Sequence, residues 1–522
     1  MRRRLIPLTL PLALAGLVLA GCAVTAQPAA TPSTTSPLST ESSVQTTMDV
    51  DAAIPAAAAE LLAANADGTV VNDDEWSTAD AATITLSGST ASSDADGVTV
   101  DGSTVTITAA GVYRLTGTLD GQVVVDAPDD AQVVLVLDGA TITSTSGSAI
   151  HVVTADDVAL SLADGSTNAV TAASSADADA SAAISADSDL TVSGSGALTV
   201  TDTGNDGISA TDDLAILGGT ITVDAADDAL RGKDSLVVSG GTITLTAGGD
   251  ALKSDQTDDA TQGYVWVSGG TIDATATDDG IDAQTDAVVT GGTVAIAAEG
   301  DGIHSETALA ITGGDITVSQ SNEGIESADI RIAGGTTRVT SSDDGVNASG
   351  TTTSGGGGGG GMQDTGETVT ISDGTLVIDA EGDGLDSNGS ITMTGGDVTV
   401  YGPTGQGNGA LDSNGGLTVT GGTLVAMGST GMAESPDASS AQGWIAATAS
   451  GSAGSTVEIQ DATGSVIASY TAEKSFGSVV FSSSAVADGQ TYTVSVDGSA
   501  TSVTAGVAAA GGMGMGGGGQ RP

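Results

Sequence analysis

Aromatic residues, cysteine and basic residues are all scarce in this chain. Only 2% of its 522 residues are aromatic, and it has 11 lysines and arginines, 2 histidines and 1 cysteine. Aromatic side chains normally help to fill a wide core, so this composition argues against an ordinary globular enzyme. A single cysteine excludes an internal disulfide framework and any multi-cysteine metal site. A formal net charge of −55 excludes electrostatic attraction to nucleic acid.

A repeat of about 22 residues begins near residue 204. Each copy contains a turn built around an acid, such as Asn205-Asp206-Gly207-Ile208, and we number each turn from this acid as position 0. Five of the seven steps between successive acids are 21 or 22 residues long, and the two longer steps, of 29 and 39 residues, indicate insertions in a common coil. The position-0 acids are Asp206, Asp228, Asp250, Asp279, Asp301, Glu323, Asp344 and Asp383.

Glycine pairs recur in the same phase as the acidic turns. Pairs such as Gly218-Gly219 and Gly291-Gly292 separate short runs in which apolar residues alternate with polar ones. Alternation is typical of strands, and glycine supplies the bends between them. The pattern predicts an all-β chain folded as a right-handed parallel β-helix, in which each coil has three short strands.

The repeat and the composition divide the chain into six segments. The predicted boundaries are a lipoprotein signal peptide (1–21), a disordered Ala/Thr/Ser/Pro tether (22–75), irregular N-terminal coils with a cap (76–203), regular coils (204–440) with a Gly-rich excursion (351–366), a small antiparallel β cap (441–506) and a Gly/Met-rich tail (507–522).

The N-terminus has the features of a bacterial lipoprotein signal. Three arginines precede an apolar run, and Leu19-Ala20-Gly21 leads to Cys22, the chain's cysteine. The apolar run is shorter than the roughly 20 residues that span a bilayer. We therefore expect lipidation of Cys22 and a location at the outer face of the bacterial membrane.

The conserved phase of the repeat assigns a direction to each position of the turn. Position 2 is always Ile, Leu or Val and should face inward, whereas position 3 varies and should face outward. The position-0 acids would stack at about 4.8 Å and repel one another. Two explanations remain open, and they can coexist: each carboxylate caps backbone N–H groups across its own bend, or calcium bridges neighbouring carboxylates.

Outward residues are the natural place for a ligand. The position-3 candidates for carbohydrate binding are Arg231, Lys253, Asp282, His304 and Glu326.

Two neighbouring aromatic residues form a further candidate for carbohydrate binding. In Tyr264-Val265-Trp266-Val267 the valines share the inward phase, so the aromatic rings should point outward as a platform for sugar rings. The alternative is that these rings lie under the insertion at 255–262.

No nucleophile motif surrounds either histidine, which argues against a Ser/His/Asp enzyme. A polysaccharide lyase is the enzymatic alternative, because Arg231 and Lys253 occupy the same outward column beside Asp228 and Asp250 and could supply a base. The recurrence of acids in every coil favours a structural or binding role over one tuned catalytic pair.

Several longer motifs resemble a known family. They are Ala110 to Gly117 (AGVYRLTG), Leu135 to Gly139 (LVLDG), Asp227 to Asp234 (DDALRGKD), Asn322 to Glu326 (NEGIE) and Gly382 to Gly396 (GDGLDSNGSITMTGG). Over roughly residues 70–500 the chain resembles the calcium-binding parallel β-helix carbohydrate-binding proteins of bacteria, whose characterised member binds cellulose and polygalacturonate and whose fold is similar to that of pectate lyases.

The resemblance implies calcium on the acidic turns and a polysaccharide ligand, with an acidic, pectin-like chain among the options. We therefore expect a monomeric, non-enzymatic surface lipoprotein that binds polysaccharide on the side of the solenoid. A strongly acidic protein can hold an acidic chain only where cations bridge the two. A passive adhesin or wall-spanning spacer is the alternative from a different class, for which the repeat alone would suffice.

Overall fold

The computed structural model describes residues 55–174, 182–350 and 363–509. All of them belong to one compact unit, Thr46–Pro522. The signal peptide, Cys22, the tether up to residue 54, most of the Gly-rich excursion and most of the Gly/Met-rich tail lie outside the described residues. The predictions for these segments therefore stay predictions.

Strands dominate the described residues. The N-terminal part contains helix α1 (Ala56–Leu62), a 3-10 turn (Thr78–Asp80) and strands β1 to β13, which are Ala82–Gly88, Ala91–Ser92, Val98–Asp101, Thr104–Ile107, Gly111–Asp120, Gln122–Asp126, Val133–Thr143, Ile150–Thr154, Asp157–Leu162, Thr167–Ala172, Ala182–Ala186, Asp189–Gly194 and Ala197–Asp202.

The part with the acidic repeat follows. Strands β14 to β36 are Asp206–Ala210, Asp213–Ile216, Thr220–Ala225, Leu230–Gly232, Ser235–Val238, Thr242–Ala247, Leu252–Ser254, Tyr264–Val267, Thr271–Ala276, Ile281–Ala283, Asp286–Val289, Thr293–Ala298, Ile303–Ile311, Asp315–Gln320, Ile325–Ser341, Val346–Ala348, Thr368–Ala380, Leu385–Ser387, Ser390–Met393, Asp397–Tyr401, Leu411–Ser413, Gly416–Val419 and Thr423–Gly428. Strands β37 to β42 are Trp444–Gly451, Thr456–Gln460, Val466–Thr471, Phe476–Ser482, Thr491–Val496 and Ser499–Thr504.

The strands stack coil upon coil in parallel, and the predicted parallel β-helix is confirmed. Strand β17 pairs with β20, β18 with β21, and β19 with β22, so each coil adds one strand to each of three sheets. We call these the turn sheet (strands that follow the acidic turn, such as β17), the strapped sheet (such as β18) and the open sheet (such as β19). The register places Leu230 beside Leu252 and Ile243 beside Ile272.

The core is narrow, as the lack of aromatic residues requires. The position-2 residues are at most 2% exposed and form one continuous column, which confirms their inward direction. The members of this column are Ile208, Leu230, Leu252, Ile281, Ile303, Ile325, Val346, Leu385 and Leu411. The sheets themselves supply the rest of the core, from residues such as Val265 and Val267.

The glycine pairs bend the chain between the strapped and open sheets. The second glycine of each pair takes a positive φ, for example +93° at Gly241 and +89° at Gly292. A Cβ atom on Gly292 would also lie 3.0 Å from the carbonyl carbon of Gly269 in the preceding coil. Both the conformation and the close stacking of the coils therefore require glycine here.

An extended segment, residues 55–76, covers the outer face of the strapped sheet, and we call it the strap. Ala58 and Leu61 of α1 belong to the same apolar cluster as Tyr264 and Trp266. Further along the strap, Asn65 donates a hydrogen bond to the Asp286 carboxylate at 3.1 Å. The described part of the predicted tether is thus ordered, and the prediction of a disordered segment is wrong there.

The strap continues toward the N-terminal coils. The backbone N–H of Thr69 donates to Asp213 at 2.8 Å, and that of Val71 donates to the Thr191 hydroxyl at 3.0 Å. Val71 then packs on Val134. The sequence of the strap lacks strand alternation because it lies on another surface instead of entering the sheets.

Antiparallel strands close both ends of the solenoid. Strand β1 pairs with β2, and β3 with β4, at the N-terminal end. At the other end β40 pairs antiparallel with β36 and β37, and β38, β39, β41 and β42 form a separate antiparallel sheet. The predicted C-terminal antiparallel unit is confirmed. Within the described residues, no helix is long and apolar enough to cross a bilayer.

Candidate functional site

The position-0 acids form a ladder along the edge of the turn sheet, which we call the acidic ladder. Most of these carboxylates accept a hydrogen bond from the backbone N–H of the equivalent residue in the next coil, whereas Glu323 accepts from the Asn347 amide. The donor–acceptor distances are 2.9 Å from Asp250 to Asp228, 2.8 Å from Asp279 to Asp250 and 2.6 Å from Asp301 to Asp279. The prediction that each carboxylate caps its own bend is therefore wrong, because the cap joins adjacent coils.

The direction of the backbone explains why a side chain is needed. At Asp250 the carbonyl accepts from the N–H of Ala229 in the preceding coil, and the N–H of Asp250 points toward that coil as well. The carbonyl of Asp228 is already directed backward, to Gly207. A carboxylate on the preceding coil is then the acceptor within reach of this N–H, which would otherwise be buried without a partner.

Burial makes these carboxylates difficult to ionise. Desolvation, reinforced by neighbouring acids, raises the pKa of Asp206 and of Asp279 to about 7. Desolvation raises the pKa of Glu323 to about 8. A bound cation would oppose this effect by favouring the ionised forms.

The position-3 residues stand beside the acidic ladder, and we call them the outer column. They face away from the core, and the five candidates among them are half-buried. Adjacent coils place them in register, with Arg231 beside Lys253 and Lys253 beside Asp282. The five candidates Arg231, Lys253, Asp282, His304 and Glu326 thus share one face, as predicted from the phase of the repeat.

Basic side chains of the outer column neutralise the acidic ladder in the earlier coils. Lys253 contacts Asp250 directly and has its Nζ 3.6 Å from Asp228 and 3.7 Å from Asp282. His304 Nδ1 lies 3.1 Å from Asp282. The surrounding carboxylates outweigh desolvation and raise the pKa of His304 to about 9.

The later coils have no such compensation. Among the described residues, no lysine, arginine or histidine forms an ion pair with the acids of this stretch, which we call the uncompensated stretch: Asp344, Asp383, Asp386, Asp412 and Glu434.

Burial and the neighbouring carboxylates raise the pKa of Asp386 to about 8 and that of Asp383 to about 7. At the edge of the uncompensated stretch, Asn347 donates to Glu323 at 2.8 Å, while its Oδ1 is buried without a hydrogen bond from any described residue.

The described residues contain three groups in which ligand atoms of acids or histidine lie within 4.8 Å of one another. They are Asp206–Asp227–Asp228, Asp250–Asp278–Asp279 and Asp279–Asp282–His304. Four of the predicted calcium ligands, namely Asp206, Asp228, Asp250 and Asp279, fall in these groups. Asp301, Glu323, Asp344 and Asp383 do not, although they continue the acidic ladder. The carboxylate oxygens fit calcium in type, but each group supplies fewer than the six to eight oxygens that calcium takes.

The predicted aromatic platform is not formed. Tyr264 and Trp266 do point away from the core, but they are only 4% and 7% exposed because they form one apolar cluster with residues of the strap. The Tyr264 hydroxyl donates to the carbonyl of Ala66, and Trp266 Nε1 donates to Thr290. The expectation of exposed rings is wrong, since the sequence gives no sign that the strap returns to this face.

The two basic residues that were predicted as the possible base of a lyase both form ion pairs with carboxylates. Arg231 forms a bidentate salt bridge with Asp255, and the closest pair of atoms is 2.8 Å apart. The carboxylates around Lys253 outweigh desolvation and raise its pKa above the ordinary value. A raised pKa and the contacts with Asp228, Asp250 and Asp282 disfavour Lys253 as a general base.

A polar groove lies at the bend between the turn sheet and the strapped sheet, and the sequence analysis missed it. Its volume is about 390 Å³, and it crosses successive coils. The insertion at 255–262 forms a wall at one end. The long step between Asp250 and Asp279 was the signal for this wall, but it did not indicate a cavity. The groove is lined by side chains that include Gln256, Gln284, Thr285, Glu306 and Thr307.

Comparisons with known proteins concern the same region. The model of a family described as "Carbohydrate-binding domain-containing protein" matches residues 101–358. A carbohydrate-binding domain-containing protein of Acetivibrio thermocellus is 38% identical over 123 residues, which are 22% of this chain and 43% of that protein. The aligned part thus spans less than half of the length of this relative.

A solved structure is also similar to part of the chain. The polysaccharide lyase-like protein from C. thermocellum, solved as a gadolinium derivative, is 37% identical, with 44% of this chain and 95% of that chain covered and a TM-score of 0.43.

Proposed function

We propose that this chain is a non-enzymatic protein that binds polysaccharide along the side of its solenoid. The observation that carries the proposal is the carbohydrate-binding family match over residues 101–358, which includes the coils that present the outer column. Side chains repeated at about 4.8 Å suit a polymer that lies along the solenoid axis. The occupied states of Arg231 and Lys253 support binding over lyase chemistry.

Affinity electrophoresis in gels that contain single polysaccharides tests this function. We expect retardation by at least one neutral or acidic polysaccharide, and no release of unsaturated uronides from pectin in an absorbance assay. Migration that no polysaccharide changes would favour a passive spacer. Release of unsaturated products would instead support the alternative that the protein is a polysaccharide lyase.

Calcium is the second part of the proposal, and it concerns the acidic ladder. The uncompensated stretch supports it, because burial and mutual repulsion disfavour the ionised form of its carboxylates and no described lysine, arginine or histidine forms an ion pair with them. The unpartnered Asn347 Oδ1 adds a neutral oxygen of the kind that calcium accepts. Calcium would neutralise these acids and could also bridge them to an acidic, pectin-like chain.

Isothermal calorimetry with calcium chloride tests the metal. We expect calcium uptake by the chelator-treated protein and a marked loss of uptake in Asp386→Asn, because this substitution removes a charge from the uncompensated stretch. Asp273→Asn on the exposed open sheet is the matched control and should bind like the wild type. Absence of heat and an unchanged melting temperature in chelator would contradict calcium binding.

A lipid anchor on Cys22 is the third part, supported by the signal-like residues before it. It would hold the protein at the outer face of the bacterial membrane. Cys22→Ala should abolish labelling by a radioactive fatty acid and move the protein from the membrane fraction to the soluble one. Equal labelling of both forms would contradict the anchor.

A further inference from the structure

We propose that the groove beside the insertion at 255–262 is a binding site for a neutral, linear glycan that lies parallel to the solenoid axis. The inference rests on the proposed carbohydrate-binding function and assigns it to a face other than the acidic ladder. The groove has a volume of about 390 Å³ and is lined by residues from Gln256 to Gly350, which belong to consecutive coils. With coils about 4.8 Å apart, it is about 19 Å long.

The wall of the groove is held in place before any ligand arrives. Asp234 accepts hydrogen bonds from Gln256 at 2.7 Å and from Gln262 at 2.9 Å, so one carboxylate fixes both ends of the insertion. Thr285 donates to the carbonyl of Gln262 at 2.7 Å. The strap supports the outer side of the wall, since the N–H of Ala66 donates to the carbonyl of Thr261. A preorganised wall lowers the entropic cost of binding.

The floor of the groove presents polar groups that are free to bind. Gln284 and Glu306 occupy equivalent positions in adjacent coils, and neither side chain makes a hydrogen bond or ion pair with another described residue. The Thr307 side chain beside them is exposed. Ala328 and Gly350 continue the lining with small residues, which leaves room for a chain to pass.

The charge of the groove selects against acidic chains. Its charged lining residues are Asp259 and Glu306, and the described lining contains no lysine, arginine or histidine. An anionic polysaccharide would therefore be repelled, whereas the hydroxyl groups of a neutral glycan can donate to the Glu306 carboxylate and bond with the Gln284 amide. The lack of an aromatic ring in the described lining implies recognition by hydrogen bonds along the chain.

Two groove variants and one matched control test the proposal by affinity electrophoresis. The probes are a β-1,4-glucan, a β-1,3-glucan and a mannan, with polygalacturonate as the acidic comparison. Thr307→Trp should fill the groove and abolish retardation by the neutral glycan that the wild type binds. The double variant Gln284→Ala, Glu306→Ala should weaken it roughly tenfold, because two hydrogen-bonding groups are lost. Thr317→Trp, on the exposed open sheet of the same coil, should behave like the wild type.

The length of the ligand gives an independent measurement. Calorimetric affinity for oligosaccharides of the bound glycan should rise until they span about 19 Å and then level off. Melting temperatures of both variants should match that of the wild type, since the substituted side chains lie at the surface.

The possible failures are distinct. Unchanged retardation of both variants would contradict the groove as the binding site while leaving the proposed function intact. Retardation of the wild type by polygalacturonate alone would have the same meaning. No retardation of the wild type by any probe would overturn the groove and the proposed function together.

Discussion

Single acidic residues in the turn supply hydrogen-bond acceptors for backbone N–H groups that the fold of the coil leaves without a backbone partner. The Asp301 carboxylate accepts from the N–H of Glu323 at 2.9 Å, and the same arrangement recurs along the acidic ladder. The sequence predicted the acids and their spacing. It could not predict that the acceptor and the donor lie in different coils, because that depends on which way the N–H at position 0 points.

The first prediction distinguishes two contributions of Asp301 to stability, its role as a hydrogen-bond acceptor and its negative charge. Asp301→Ala leaves the N–H of Glu323 without its acceptor and should lower the free energy of unfolding by about 1 to 3 kcal/mol. Asp301→Asn keeps an oxygen at this place and should cost much less. Urea denaturation at neutral pH in chelator measures both variants, with the exposed Asp315→Ala as the control. Equal losses for the alanine and asparagine variants would show that charge, not capping, matters.

Position 1 of the turn shows a second correlation between residues. Glycine stands there where the open sheet presents a β-branched residue. A Cβ on Gly302 would lie 2.6 Å from Val318 and 2.5 Å from the carbonyl oxygen of Gly324, and one on Gly280 would lie 2.4 Å from Ile296. Alanine stands there in the two coils whose corresponding open-sheet residues are Leu245 and Ala274. The repeat therefore varies glycine and alanine according to the space left by the facing strand.

The second prediction follows from this correlation. Gly302→Ala should lower the free energy of unfolding by about 1 to 3 kcal/mol through overpacking. The cost of Gly302→Ala should be smaller, though not zero, when Val318→Ala is already present, because the collision with the Val318 methyl groups is gone and that with the Gly324 carbonyl remains. A double-mutant cycle by urea denaturation measures the coupling. Additive effects of the two substitutions would contradict the steric explanation.

At the scale of elements, the strap is the feature that the sequence did not reveal. Its composition is typical of a linker, and its contacts join residues far apart in the chain, such as Asn65 with Asp286. The strands were predictable because each coil repeats the pattern of its neighbour. The strap occurs once, so no internal comparison could expose its partner surface.

The third prediction concerns the attachment of the strap. Leu61→Ala should lower the free energy of unfolding by about 2 kcal/mol, since Leu61 is only 7% exposed. Loosening of α1 should also expose Trp266 to water and shift its fluorescence to longer wavelength. Glu60→Ala is the control, because the Glu60 side chain is 75% exposed and its ion pair with Arg331 should contribute less than about 1 kcal/mol. An unshifted spectrum in Leu61→Ala would contradict the covering role of the strap.

At the scale of the whole molecule, the carboxylates of the ladder and outer column act together. Burial raises the pKa of Asp279 to about 7, of Glu323 to about 8 and of Asp386 to about 8. Unfolded carboxyl groups titrate near about 4. Between these limits the folded protein therefore binds more protons than the unfolded chain, so its stability falls as pH rises.

The fourth prediction is the resulting pH dependence. In chelator, the urea midpoint should decrease steadily from pH 5 to pH 8. His304 contributes in the same direction above pH 7, since its raised pKa of about 9 favours the protonated folded state below that value. Glu323→Gln, Asp386→Asn should flatten the decrease, whereas Asp273→Asn should not. A midpoint that rises over this range would contradict the buried state of these acids.

The hydrogen bonds between the acidic turns also have a fixed direction along the chain, which bears on the order in which the coils form during synthesis. The carboxylate of each turn precedes in the chain the N–H that it receives, as Asp228 precedes Asp250. During synthesis, each of these carboxylates therefore leaves the ribosome before the backbone N–H group that will donate to it. A growing chain that stops early leaves the carboxylate of its last acidic turn unused, and water can solvate that carboxylate. The direction of synthesis and the direction of coil completion coincide.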